Sequence, residues 1–433
     1  MKKLYLLLFT VWSGISIAQM PDVERCMTPQ AILHQDAKTP GYADLVREQF
    51  ELAKNTPVMK SDEEYVIPVV FHIVWNSPQE NLADSIIHRQ IELLNQDFGR
   101  KNPDTINMRE DFDIVKGNPR IQFKLATIDP DGNPTTGITR TQTNKTSFFD
   151  LSFLTAGFDV LEEVKQTDNG GMDPWNQERY LNIWVCNMSF LGQTFLLGYA
   201  TPPDGLPNWP QGTTDGLSDG VVVQYQTVGD NNPNMLDMGQ GAIEVKGRTV
   251  THEIGHYLGL RHIWGDGDCA EDDGIDDTPN ADDQSNFDCD DTKNTCVDDI
   301  FGIDLPDMIE NYMDYSAETC QNSFTKGQAM LMRSVLENQR EKLINNNPAN
   351  TAEAVLPDFS IYPNPFDNDV TISIKNGKMD YLEVRDITGK LIMEEKVTQD
   401  IHHINTSHLQ KGVYIVSFKN SGQQLGSRKI VKH

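Results

Sequence analysis

Positive charge is what this 433-residue chain most lacks: 36 Lys and Arg stand against 64 Asp and Glu, a formal net charge of -28 at pH 7. Nucleic acid and anionic membrane surfaces are polyanions, so this balance argues against both as partners. Long apolar runs are also missing. Beyond the N-terminus no segment approaches the ~20 apolar residues that cross a bilayer, and no stable membrane insertion is expected. No internal repeat is visible, which sets aside solenoids and arrays. Cysteine is limited to six residues.

What is present is unevenly placed. Residues 266–299 carry 14 Asp or Glu against one Lys, whereas 348–433 balance 10 acidic with 10 basic residues. Lys2 and Lys3, the apolar stretch Leu4–Trp12 and the small residues Ser16-Ile17-Ala18 together read as a secretory signal peptide, 1–18. Export leads to an oxidising compartment in which the cysteines can pair. Residues 19–60 are polar and show no strand pattern, with a helix expected within Ala43–Leu52. At Tyr65 the texture changes. Val66–Trp75 reads as a buried strand, and Ile86, Ile87, Ile91, Leu94 and Phe98 follow at helical spacing. Further strands are expected at 121–126, 180–186, 195–200 and 221–225, and helices at about 243–258 and 326–343. Strands alternating with helices predict a mixed α/β domain over 61–346. After a linker at 347–357, short strands between Gly, Asn and Asp turns predict a small β-sandwich over 358–433.

The chemistry concentrates in Thr251-His252-Glu253-Ile254-Gly255-His256-Tyr257-Leu258-Gly259-Leu260-Arg261-His262. Two His four residues apart share one helix face and can reach one ion. The same helix cannot deliver a third His at the right angle. A left-handed Gly259 would end the helix and bring His262 round. Three protein ligands leave zinc one open position, which marks a catalytic site rather than a structural one. Glu253, beside the first ligand and not needed as one, suits a general base and acid. Fixing Gly259 and His262 at set spacing makes the pattern far more specific than a bare HExxH.

HEIGHYLGLRH resembles the metzincin motif HExxHxxGxxH. Asn311-Tyr312-Met313-Asp314-Tyr315, with Cys320 following, is similar to the Met-turn region of the pappalysin family, in its ulilysin-like branch. The resemblance covers about 61–346. It implies a metzincin catalytic domain: a twisted mixed sheet over an active-site helix, acting as a zinc endopeptidase on protein or peptide substrates. It also implies Met313 as the Met-turn residue and Tyr315 as a stabiliser of the reacting carbonyl oxygen, a task that suits an aromatic hydroxyl.

The acidic segment 268–279 offers hard oxygen ligands suited to Ca²⁺, unless it is simply solvated surface. The family binds calcium near this loop, so the resemblance favours a structural Ca²⁺. Cys269, Cys289, Cys296 and Cys320 allow three pairings, of which the resemblance favours Cys269–Cys296 and Cys289–Cys320. Cys186 lies in an apolar strand and reads as a buried thiol. Cys26, in the expected propeptide 19–60, matches the propeptide cysteine that fills the open zinc position in many metzincins. Met27 stands where that pattern often has Gly, and an unpaired or Cys186-linked Cys26 is the competing reading. Glu318 is either a surface residue or one wall of a subsite favouring basic side chains.

The C-terminal order Ile361-Tyr362-Pro363-Asn364-Pro365-Phe366, Val384–Leu391 and Leu409–Val416 resembles the type IX secretion sorting domain of Bacteroidota proteins. That implies a secreted or surface protein and the outer-membrane export machinery as partner; an adhesive sandwich is the alternative. Two other activities compete with peptide hydrolysis. One is adhesion around a structural metal, which would close the site with a fourth ligand; the other is hydrolysis of non-peptide amides.

Overall fold

A computed structural model describes residues 24–59, 62–190, 193–207, 209–210, 217–237, 241–345, 359–374, 381–386, 390–397, 399, 401–420 and 423–433. The expected signal peptide and linker lie outside the described residues. The chain divides between Asn345 and Asn346 into two compact units.

The first unit opens with strand β1 (Glu24–Cys26) and helices α1 (Thr28–Lys38) and α2 (Tyr42–Asn55). Of these, only α2 announces itself in the sequence. A three-residue strand carries no alternation, and β1 exists through pairing with an edge some 170 residues away. Then follow β2 (Tyr65–Trp75), α3 (Asp84–Asp97), β3 (Ile121–Leu125), β4 (Ile138–Gln142), β5 (Leu181–Cys186), β6 (Leu196–Ala200) and β7 (Val221–Gln224). Helices α4 (Arg248–Tyr257), α5 (Lys326–Asn338) and α6 (Glu341–Asn345) follow, beside shorter helical turns and two small two-stranded ribbons. The expected single helix at 326–343 is thus two.

Seven strands form one mixed sheet in the order β1-β6-β7-β5-β2-β3, with β4 also pairing β2. Strand β2 is long enough to hold β3 along Tyr65–Val69 and β4 along Phe71–Trp75. Pro68 falls one residue before pairing with β5 begins at Val69, on a stretch where a missing N–H is tolerated. Strand β6 runs antiparallel to β7, and β1 lies parallel to β6 as the outermost strand.

The period of two sorts the sheet's side chains into two cores. Val69, Phe71, Ile73, Ile183 and Val185 pack with Ile87 and Leu94 of α3, Val250 and Ile254 of α4, and Met332 and Val335 of α5. Trp184, Cys186 and Val222 face the other way, onto Phe148, Phe149, Phe158 and Leu161. Sandwiched between layers, α4 has every residue buried. Helix α5 starts at a capping box in which Thr325 and Gln328 each accept the other's backbone N–H.

The second unit is all β. Strands β8 (Phe359–Tyr362), β9 (Asp369–Ile374) and β12 (Ile401–Asn405) form one antiparallel sheet. Strands β10 (Tyr381–Asp386), β11 (Leu391–Lys396), β13 (Gly412–Asn420) and β14 (Gln423–Lys432) form another. Val370, Ile372 and Ile404 of the first meet Leu382, Val384, Val416 and Ile430 of the second in one core, a small sandwich.

Candidate metal centre

Helix α4 brings His252 and His256 onto one face, and Gly259, at φ +92°, turns the chain out of the helix. His262 then returns to the same point. The Nε2 atoms of His252 and His262 lie 3.1 and 3.0 Å from that of His256. Every Nδ1 is engaged elsewhere: His252 with the Tyr312 carbonyl at 2.7 Å, His256 with the Leu260 carbonyl at 2.8 Å, and His262 with Asp266 Oδ1 at 2.6 Å. A carbonyl can only accept, so His252 and His256 are protonated at Nδ1 and carry their lone pairs at Nε2. Burial, followed by repulsion from neighbouring imidazoles, holds His252 well below the ordinary histidine range and His256 down to about 3. His252 and His256 therefore turn their lone pairs toward the point that His262 Nε2 also approaches, an arrangement suited to a cation at its centre. Tetrahedral zinc with Zn–N of about 2.0–2.1 Å sets its nitrogens roughly 3.3 Å apart, so the residues fit that ion.

Cys26 completes the group. Its Sγ and the three imidazoles offer ligand atoms within 4.8 Å of one another, and among the described residues no other His, Cys, Asp or Glu set converges so closely. Strand β1 delivers it: Cys26 pairs with Gly198 of β6. Burial, and then the Glu253 carboxylate, raise the thiol well above its ordinary range. Glu253 Oε2 lies 3.3 Å from Cys26 Sγ and accepts from Thr28 at 3.5 Å, while Oε1 has no partner. Burial pushes the Glu253 carboxyl up to about 8. Gly198 makes room for it, since a Cβ there would stand 2.7 Å from Glu253 Cγ.

The turn after residue 310 supports the centre from below. Met313 is fully buried, and a Cβ on Gly255 would meet its Sδ at 2.4 Å. Tyr312 holds His252 through its carbonyl and donates its hydroxyl to Asp97, which also accepts from Thr251. Tyr315 packs edge-on against His262 and donates its hydroxyl to the Cys26 carbonyl at 3.1 Å. The structure joins Cys269 to Cys296 and Cys289 to Cys320, and leaves Cys26 and Cys186 as buried thiols.

Glu318 is not a surface residue. It is buried at the N-terminus of α4, where its carboxylate accepts from the backbone N–H of Lys246, Arg248 and Thr249 and from the Thr249 hydroxyl. That helix has Gly247 as its cap residue and no side-chain cap of its own. A negative charge there meets unpaired donors and the positive end of the helix dipole. Asp266, Gly198 and Arg25 also escaped the sequence reading. Arg25 is buried; it donates to the Ser316 carbonyl and, at 3.1 Å, to Gln321 Oε1, with its guanidinium over the Phe287 ring. Only Asp266 left a local trace, as a carboxylate four residues after the third His.

Residues 166–337 match the family described as pregnancy-associated plasma protein-A, the M43 peptidases. Mature mirolysin of Tannerella forsythia, solved in complex with a cleaved peptide, is 39% identical, with a TM-score of 0.55 over 66% of this chain and 97% of that one. The chain belongs to the pappalysin family of metalloproteases. A promirolysin mutant from the same organism is 36% identical with a TM-score of 0.60, covering 74% of this chain and 97% of that one. An extracellular metalloprotease of Arthroderma benhamiae is 26% identical over 323 residues, 74% of this chain and 88% of its own length. Residues 360–433 match the secretion system C-terminal sorting domain. This pappalysin is thus an extracellular metalloprotease with a type IX secretion tail. Among the described residues no helix is long and apolar enough to cross a membrane.

Proposed function

We propose that this pappalysin is a latent zinc endopeptidase, with zinc held by His252, His256 and His262 and proton transfer carried by Glu253. The convergence of three buried imidazole Nε2 atoms, with Glu253 beside them, carries this reading. Zinc, when bound, supplies acidification of a water molecule and polarisation of the scissile carbonyl. Glu253 orients the attacking water, takes its proton on a carboxylate oxygen and returns it to the leaving amine. The Tyr315 hydroxyl, now spent on the Cys26 carbonyl, donates instead to the substrate oxygen as it gains charge. Met313 acts as a packing residue beneath the ligands. The test is peptide-library cleavage by the proteolytically activated chain beside its Glu253→Ala twin, with zinc measured in both. Cleavage by both, or by neither while both hold zinc, sinks the assignment.

Residues 19–60 then act as a propeptide, 61–346 as the catalytic domain, 347–357 as a linker, and 358–433 as the part read by the outer-membrane export machinery. The propeptide blocks the site twice: Cys26 stands among the three imidazoles, where it would serve as the fourth ligand of a bound zinc, and β1 occupies the edge of β6, where an extended substrate would otherwise pair. The Arg25 seat formed by the Ser316 carbonyl, Gln321 and Phe287 suits a basic side chain of a substrate, so a cleavage library should be enriched in Arg or Lys. Asp273, buried with Oδ2 lacking a partner, supports a structural calcium in the acidic loop.

A further inference from the structure

The three imidazoles of the centre are not held alike. His252 and His256 rest their Nδ1–H on backbone carbonyls, fixed by the fold whatever the side chains around them. His262 relies on one side chain, Asp266, at 2.6 Å. His262 is also the ligand that comes from outside α4, so no helix sets its ring. Trp264 stacks on it with ring centroids 4.3 Å apart and planes 5° from parallel. Stacking fixes the ring plane but leaves rotation within that plane, and the bond to Asp266 removes that freedom.

The backbone is bent to allow this contact. Gly265 and Asp266 both adopt left-handed conformations, φ +62° and +59°. A Cβ at Gly265 would stand 2.6 Å from the Asp272 carbonyl oxygen, so the turn is closed tightly against the acidic loop. Asp tolerates that region better than most residues, yet at a cost Gly would avoid. Strain kept at a residue that touches a site residue points to a role there.

We propose that Asp266 is a positioning residue for the metal: it fixes the His262 tautomer and ring, and its charge strengthens Nε2 as a ligand. The inference rests on the three-histidine zinc reading and goes beyond it by naming what holds the third ligand. The left-handed backbone supplies two well-matched variants. Asp266→Asn keeps an acceptor without the charge; Asp266→Gly removes the acceptor and relieves the backbone. Zinc affinity of the full-length protein, measured by chelator competition, should fall about 10- to 100-fold in Asp266→Gly and less in Asp266→Asn. The melting temperature of the metal-free proteins should stay at or above wild type in both. Wild-type zinc affinity in Asp266→Gly overturns the proposal. So does a metal-free protein destabilised in step with the affinity loss, because Asp266 would then be serving the fold. A wild-type chain that binds no zinc in the same titration would overturn the three-histidine reading itself.

Discussion

Replacing Gly255 by Ala adds one methyl on the underside of the active-site helix. The new Cβ would sit 2.4 Å from Met313 Sδ and 3.2 Å from its Cε. Ordinary contact begins near 3.4 Å, so the thioether must retreat by about 1 Å, and Met313 is fully buried. Overpacking of this kind costs about 1–3 kcal/mol. Exchanging Gly for Ala inside a helix returns up to about 1 kcal/mol. Net destabilisation of about 0–3 kcal/mol is expected, read from denaturant unfolding. The larger effect falls on the metal, because Met313 follows Tyr312, whose carbonyl holds His252. Zinc affinity should drop even where stability hardly changes. Met313→Ala alone should cost about 2–5 kcal/mol. In the Gly255→Ala background it should cost about 1–2 kcal/mol less, since the added methyl fills part of the space vacated. If the two changes simply add, or if Gly255→Ala binds zinc like wild type, the wedge of Met313 under the helix is refuted.

Cys26→Ser should raise the cleavage of peptides by the freshly purified, unprocessed chain above that of wild type, though below the processed enzyme because β1 still covers the edge of β6; activity no higher than unprocessed wild type would remove the thiol from the blocking mechanism. Glu318→Ala leaves three backbone donors at the head of α4 without an acceptor and should destabilise the protein by about 2–4 kcal/mol, with Glu318→Gln recovering part of it in the same unfolding measurement. Selective removal of calcium with zinc retained should lower the melting temperature, and an unchanged melt would remove the cation from the acidic loop. A chain truncated at Pro357 should accumulate inside the cell, as measured by fractionation, and its normal export would refute the sorting role of the second unit.

What could be read in advance depended on how far apart the determinants lie. His252, Glu253, His256, Gly259 and His262 fall within eleven consecutive residues, and local helix geometry dictates their convergence. Strands such as β2 and β5, apolar on both faces, declare themselves by composition. Strand β4, with Thr, Arg and Gln among its five residues, does not, because it is a half-exposed edge defined by its partner. The supporting contacts are longer-range still. Glu318 reaches back some 70 residues to cap α4, and Arg25 crosses about 290 to meet Ser316. Neither spacing nor residue type hints at these partners. A carboxylate just before a cysteine looks the same whether it faces solvent or a helix end, and here the tertiary fold decides.

The stretch from Tyr312 to Cys320 gathers five supports of the centre: the carbonyl under His252, the wedge under α4, the hydroxyl beside His262, one wall of the Arg25 seat and the charge at the helix head. One covalent tie, Cys320 to Cys289, closes it, and around that tie Phe287 and Ala317 exchange backbone hydrogen bonds with Tyr315 and Asp288. In a reducing cytoplasm that tie is open. Closure of this stretch therefore awaits an oxidising compartment, and the sorting tail that marks the chain for secretion also sets where its loop is stapled.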